Sequence, residues 1–145
     1  REAQLRPGQR VTDVTRDGAI DEYHARLAPA DREIADLLAA EIERGLPAAT
    51  GKVWHAHPVW FLDGNPIVGY SRLKDGMRLM FWSGQSFAAP GLEASGSFQA
   101  ADVLFVEADD VDTDAVAAWL AESRAIQWDY ENIRRNRGLV KRTAF

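Results

Sequence analysis

The 145-residue sequence predicts an α+β domain: an antiparallel sheet of about five strands with an N-terminal helix pair and a C-terminal helix packed on one face. Two helical apolar patterns come first, a run of strand patterns cut by turn residues follows, and one more helical pattern comes last. Elements segregated in this order suit a meander with helices laid on one side, not alternating βαβ units. The length suits a single core. The composition, 46% hydrophobic and 27% charged, is that of an ordinary globular chain.

Residues 1–17 are polar and aperiodic, contain Pro7 and Gly8, and read as a flexible arm. One domain is expected over 18–137, followed by a basic tail over 138–145. Ile20, Tyr23 and Leu27 share one helical face. Pro29 breaks that pattern and suits the first turn of a second helix, Ala30 to Arg44, which Gly45 and Pro47 end. Its apolar stripe is Ile34, Leu37, Leu38 and Ile42, and Glu41 falls inside it. A carboxylate there needs a partner or a raised pKa. It reads either as a ligand or acid–base group, or as a helix-end carboxylate reaching a cation such as Lys52.

Strand patterns occupy Val53 to Leu62, Ile67 to Leu73 and Met77 to Trp82. They are separated by Asp63-Gly64-Asn65-Pro66 and by Lys74-Asp75-Gly76, and Asp-Gly is a strong hairpin signal. Ser83 to Ser97, rich in small residues, is a long loop of the kind that often carries function. Phe98 to Val106 returns as a strand. Asp112 caps a last helix from Thr113 to about Arg135, with Val116, Trp119, Leu120, Ile126, Tyr130 and Ile133 as its stripe.

The absence of cysteine rules out disulfides, thiolate metal sites and cysteine nucleophiles, and a cytoplasmic setting is expected. No apolar run approaches the roughly 20 residues that span a bilayer, so no membrane partner is expected. A net charge of -5 argues against nucleic acid. The charge is uneven: seven acids and no Lys or Arg lie between Ala101 and Glu122, and five basic residues lie between Arg134 and Arg142. The basic cluster reads as a helix end and tail suited to the helix dipole.

The segment from Lys52 to Phe61 holds His55 and His57, which share one face if the segment is a single extended strand. Two imidazoles fall short of the three or more ligands a transition metal needs; His24 or Glu41 would have to complete the set. The alternative is a pair of structural histidines in an aromatic sheet. The candidate ligand-binding set is therefore Trp54, His55, His57, Trp60, Tyr70, Trp82 and Glu41. Phosphate-cradling glycine loops, nucleophile elbows and dinucleotide fingerprints are all missing, so the reading leans away from an enzyme.

Ile20-Asp21-Glu22-Tyr23, Leu46-Pro47 after the second helix, Pro58 with Trp60 two residues later, Ile67-Val68-Gly69-Tyr70 and Leu79-Met80-Phe81 follow one another in a familiar order. The chain, from about Ile20 to Leu120, resembles the YdhG-like family of domains of unknown function. That resemblance implies a frataxin-like layered fold and, for some members, a role as iron chaperones. It directs attention to Glu33, Asp36 and Glu43 on the second helix as weak oxygen ligands for iron, although Arg32 and Arg44 interrupt them. His55, Ala56 and His57 stand where the family tends to have an aromatic, a glycine and a small or apolar residue. The histidines therefore inherit no family role.

The expectation that follows is a small binding protein, for a small ligand or a metal ion with iron the specific case. The ligand would be held where the aromatic sheet face meets the Ser83–Ser97 loop. The alternative is a protein-interaction module that uses the uncovered face, with a homodimer as one outcome. A third reading, His57 and Glu41 as base and acid of an enzyme, ranks below both.

Overall fold

The structure is a computed structural model that describes residues 16–143; the expected arm up to residue 15 and the last two residues lie outside the described residues. Helix α1 spans Gly18–Ala25 and α2 spans Pro29–Gly45. Strands β1 (Thr50–Trp54), β2 (His57–Leu62), β3 (Asn65–Leu73) and β4 (Gly76–Phe81) follow as a meander. A long connection holding the short β5 (Glu93–Ala94) leads to β6 (Ala101–Phe105), and α3 spans Thr113–Ala125. The sheet is antiparallel throughout, in the order β1-β2-β3-β4-β6-β5. The α+β class is as expected, with six strands because the loop contributes a two-residue edge strand.

The helix starts have clear causes. Asp17 accepts a hydrogen bond from the Ala19 N–H at the head of α1, and Asp112 accepts from Asp114 and Ala115 at the head of α3. Pro29 opens α2 in place of a side-chain cap. Gly45 has a second role at the end of α2: a Cβ there would come within 2.9 Å of Leu120, so the glycine lets α3 approach.

One core lies between the helices and the sheet. It joins Ile20 of α1, Ile34, Leu38 and Ile42 of α2 and Leu120 of α3 to Trp60, Tyr70, Leu79 and Phe81 of the strands. Each of these nine side chains is fully or almost fully buried, worth about 1.5–3 kcal/mol apiece for the aliphatic ones. A second, smaller cluster of Val59, Phe61 and Trp82 sits on the opposite face, covered by Trp54, Met80 and Tyr130 and by no helical residue. Among the described residues, helices therefore cover one face of the sheet only.

Two expected elements are corrected. The segment from Val53 to Leu62 is a hairpin, not one strand: His55 and Ala56 take φ of 52° and 72°, the left-handed geometry of a two-residue turn. The last helix stops at Ala125, although Ile126, Tyr130 and Ile133 continue its period. Asn65 is the physical reason. This fully buried side chain accepts from the Tyr130 and Glu131 N–H groups and donates to the Gln127 side chain and the Trp128 carbonyl. Four hydrogen bonds to one amide outweigh the helical preference of the segment. The residues that follow run back alongside it, with Asp129 N–H donating to Val140 and Arg142 N–H to Gln127. The first part of the expected basic tail is thus packed. At the other end, Arg16 bridges to Gly51 of β1 and Asp17 N–H donates to the Gly51 carbonyl.

Candidate functional site

Strand register decides which side chains meet. On the helix-free face, Trp54 lies opposite His57, Ser71 opposite Arg78, and Arg78 opposite Leu104. Val59 pairs with Gly69, and carrying that register on by two residues places His57 opposite Ser71. Trp54, His57, Ser71, Arg78 and Leu104 therefore form one row across five strands, neighbours standing about 5 Å apart. The next row holds Lys52, Val59, Gly69, Met80, Asp102 and Glu93.

A cleft opens on this face, lined by His57, Gly69, Ser71, Arg78, Met80 and Trp82. Gly69 forms its floor. A Cβ at that position would lie 2.5 Å from the Pro58 carbonyl oxygen, so only glycine fits the close approach of β2 and β3. About 150 Å³ of space lies along these side chains, part of it open to solvent, and no water-sized sphere fits between them. The cleft is closed over its own polar groups.

Those groups are uncommitted. His57 Nδ1 and Arg78 Nε are both buried without a hydrogen-bond partner. Ser71 is buried, and its hydroxyl makes no hydrogen bond with any described residue. Burial lowers the His57 pKa below its ordinary 6.5, and the Arg78 and His55 charges lower it further, so His57 is neutral at pH 7. Asp102 is the acid nearest in the register, beside Met80, and it forms no ion pair with Arg78. Above the row, the Trp54 ring lies 5.4 Å from Phe61 and 6.1 Å from Trp82.

The sequence-derived candidates separate onto two sides of the sheet. Trp54, His57 and Trp82 share the helix-free face. His55 lies in the exposed turn with its ring 4.2 Å from Trp54, so the two histidines are not a strand-borne pair. Trp60 and Tyr70 are core residues beneath the helices, their rings 5.7 Å apart. Glu41 is buried on α2 and takes a 2.5 Å ion pair from Arg44, not from Lys52, whose ammonium stands 4.7 Å from the Phe61 ring centre. The sheet lies between Glu41 and His57, which rules them out as an acid–base pair.

The acids of α2 do not gather. Asp36 accepts from His24 Nδ1 at 2.7 Å, and Glu43 takes two hydrogen bonds from Arg16, while Glu33 borders a separate surface pocket with Glu107 and Asp109. No group of three or more His, Asp or Glu suited to a metal ion occurs among the described residues. The first part of the long loop, expected beside the aromatics of the open face, turns to the helix side, while Glu93 of β5 stands at the edge of the open-face row. Phe87 packs on Phe81, Glu122 of α3 accepts from Ala88 and Ala89, and Trp119 donates to the Pro90 carbonyl.

Under the helices, His24 Nε2 lies 2.5 Å from the Tyr70 hydroxyl, completing an Asp36–His24–Tyr70 chain. With Tyr70 only 1% exposed, no substrate reaches the hydroxyl. The chain ties α1, α2 and β3 together. Ser71 and Arg78 escaped the sequence reading; the one available signal was their place on the same strand face as His57 once the hairpins are paired.

No family model, curated protein or solved structure matches the chain. No helix among the described residues is long and apolar enough to cross a membrane.

Proposed function

We propose that this domain is a non-enzymatic binding protein that takes a small ligand on the helix-free face of its sheet, at the row Trp54, His57, Ser71 and Arg78. One observation carries the reading: His57 Nδ1 and Arg78 Nε are buried without partners in the same cleft. An unmet buried donor costs about 1–3 kcal/mol, and a ligand that supplies acceptors offsets that cost. Aromatic and thioether surface beside polar donors is the usual make-up of a small-molecule site. A catalytic reading gains nothing here, because the hydroxyl–imidazole–carboxylate chain found among the described residues, Tyr70–His24–Asp36, is sealed beneath the helices. Of the α2 acids that the YdhG-like resemblance offers for iron delivery, Glu43 is engaged by Arg16 and Asp36 by His24, which leaves Glu33 alone.

Self-association through the same face is the second reading, favoured by Leu104, which is 44% exposed at the end of the row. A fragment screen followed by ¹H–¹⁵N spectra, with light scattering on the same sample, separates the two. Binding fragments are expected to shift the Trp54 and Trp82 indole signals together while the protein stays monomeric. Fragments that move only helix-layer signals, or a dimer that itself shifts Trp54, would overturn the small-ligand reading.

A further inference from the structure

We infer that the ligand carries an oxyanion headgroup, a carboxylate or phosphate ester, on a flat apolar body, with Arg78 as its anchor. This rests on the binding reading above and adds the chemical class. The cleft offers donors and no acid to meet them: the Arg78 guanidinium, which can only donate, with the His57 imidazole and the Ser71 hydroxyl, each able to donate one proton. Arg78 Nε, His57 Nδ1 and the Ser71 hydroxyl make no hydrogen bond to a described residue. No carboxylate lines the cleft, and Asp102, one row away, leaves Arg78 unpaired. A guanidinium fork matches two oxygens on one planar or tetrahedral group. A hydroxyl and a neutral imidazole N–H complete a three-sided cradle for such a group.

The apolar part has its place in the same register. Met80 and Trp82 flank the cleft, and the half-buried Trp54 ring closes the row beside His57. A ring bearing the anion would lie across Met80 and Trp82 with the headgroup directed at Arg78. Since the cleft admits no water-sized sphere as it stands, entry requires the side chains to part. The unbranched Met80 and the solvent-reaching arm of Arg78 are suited to that movement.

Titration of the whole chain with benzoate, phenyl phosphate and benzamide, followed by ¹H–¹⁵N spectra and calorimetry, tests the assignment. Benzoate or phenyl phosphate is expected to bind saturably and to shift the His57, Trp54 and Trp82 signals, with benzamide at least about tenfold weaker, the ratio set by a charge-assisted hydrogen bond. Arg78→Met is expected to lower the anion's affinity by about tenfold or more, and Ser71→Ala by less. Arg78→Lys keeps the charge without the fork and should fall between wild type and Arg78→Met, which serves if the methionine variant folds poorly. Benzamide binding as tightly as benzoate overturns the anion class and leaves the small-ligand reading standing. Anion binding that Arg78→Met and Arg78→Lys leave unchanged overturns the assignment to this cleft. If none of the three compounds binds while other fragments do, the headgroup is wrong; if nothing binds, both readings fail.

Discussion

At the scale of single residues, the most constrained group is the Tyr70 hydroxyl. Asp36 accepts the Nδ1 proton of His24, which leaves Nε2 as the acceptor for the tyrosine O–H. Burial raises the Tyr70 pKa well above its ordinary 10, with the Glu43, Tyr23 and Asp36 charges adding and the Arg16 charge opposing. Because the folded-state pKa exceeds the unfolded one, the neutral hydroxyl's contribution is complete below about pH 10 and falls as pH rises from there through the folded value. Removing the hydroxyl in Tyr70→Phe should cost about 1–3 kcal/mol at neutral pH by stranding His24 Nε2. The same variant should lose less stability than wild type between about pH 10 and pH 12. Burial also raises Tyr130, but that residue is common to both proteins, so the difference isolates Tyr70. Urea unfolding across this range checks it, and parallel pH slopes for the two proteins would remove the hydroxyl from the account.

Among elements, the hairpins show what a sequence reveals and what it hides. Asp63-Gly64 announced its turn, and Asp63 and Gly64 do take φ of 50° and 83°. His55-Ala56 makes the same kind of turn without the glycine that marks the other, and Ala56 carries a Cβ that opposes positive φ with no polar side chain to offset it. The apolar pattern from Val53 to Leu62 therefore carries no mark of a break, and the two histidines on it mimic a strand-borne pair. The overlong last helix has another cause. Ile126, Tyr130 and Ile133 kept a helical period, and only the distant Asn65 diverts them. Local pattern suffices for β3, β4 and the start of α3, to within about two residues, because apolar alternation and the Asp112 cap are local facts. Ala56→Gly should therefore stabilise the protein by about 1 kcal/mol, by relieving the left-handed alanine at φ 72°. Chemical denaturation measures this. A glycine variant less stable than wild type would mean that chain entropy in the unfolded state outweighs the strain.

At the scale of the whole molecule, the sheet sorts the candidate residues and the C-terminal segment finishes the open face. Trp54, His57 and Trp82 do share a face, but a single strand through Val53 to Leu62 would put Trp54 with Trp60 and on the other face from His57. The turn at His55-Ala56 reverses this, and Glu41, on α2, is a candidate only as a charge inside an apolar helix stripe. Ser71 and Arg78 carry no signal in isolation; three strands in register make them neighbours of His57. The face they occupy depends on Tyr130, which covers the Val59, Phe61 and Trp82 cluster and whose hydroxyl accepts from Gln99. Tyr130 is held there by Asn65, whose amide satisfies four groups of the segment after α3. Asn65→Ala leaves the Tyr130 and Glu131 N–H groups, the Trp128 carbonyl and the Gln127 side chain without that partner. The expected cost is about 2–4 kcal/mol, below the sum of four separate bonds because part of the segment rehydrates. Hydrogen exchange should accelerate most at Tyr130, Glu131 and Arg142, while α1 and α2 change little, since the helix-side core contains none of these residues. Uniform acceleration across the chain would instead make this segment part of a single folding unit with the helix layer, and the helix-free face would then have no cover able to loosen independently.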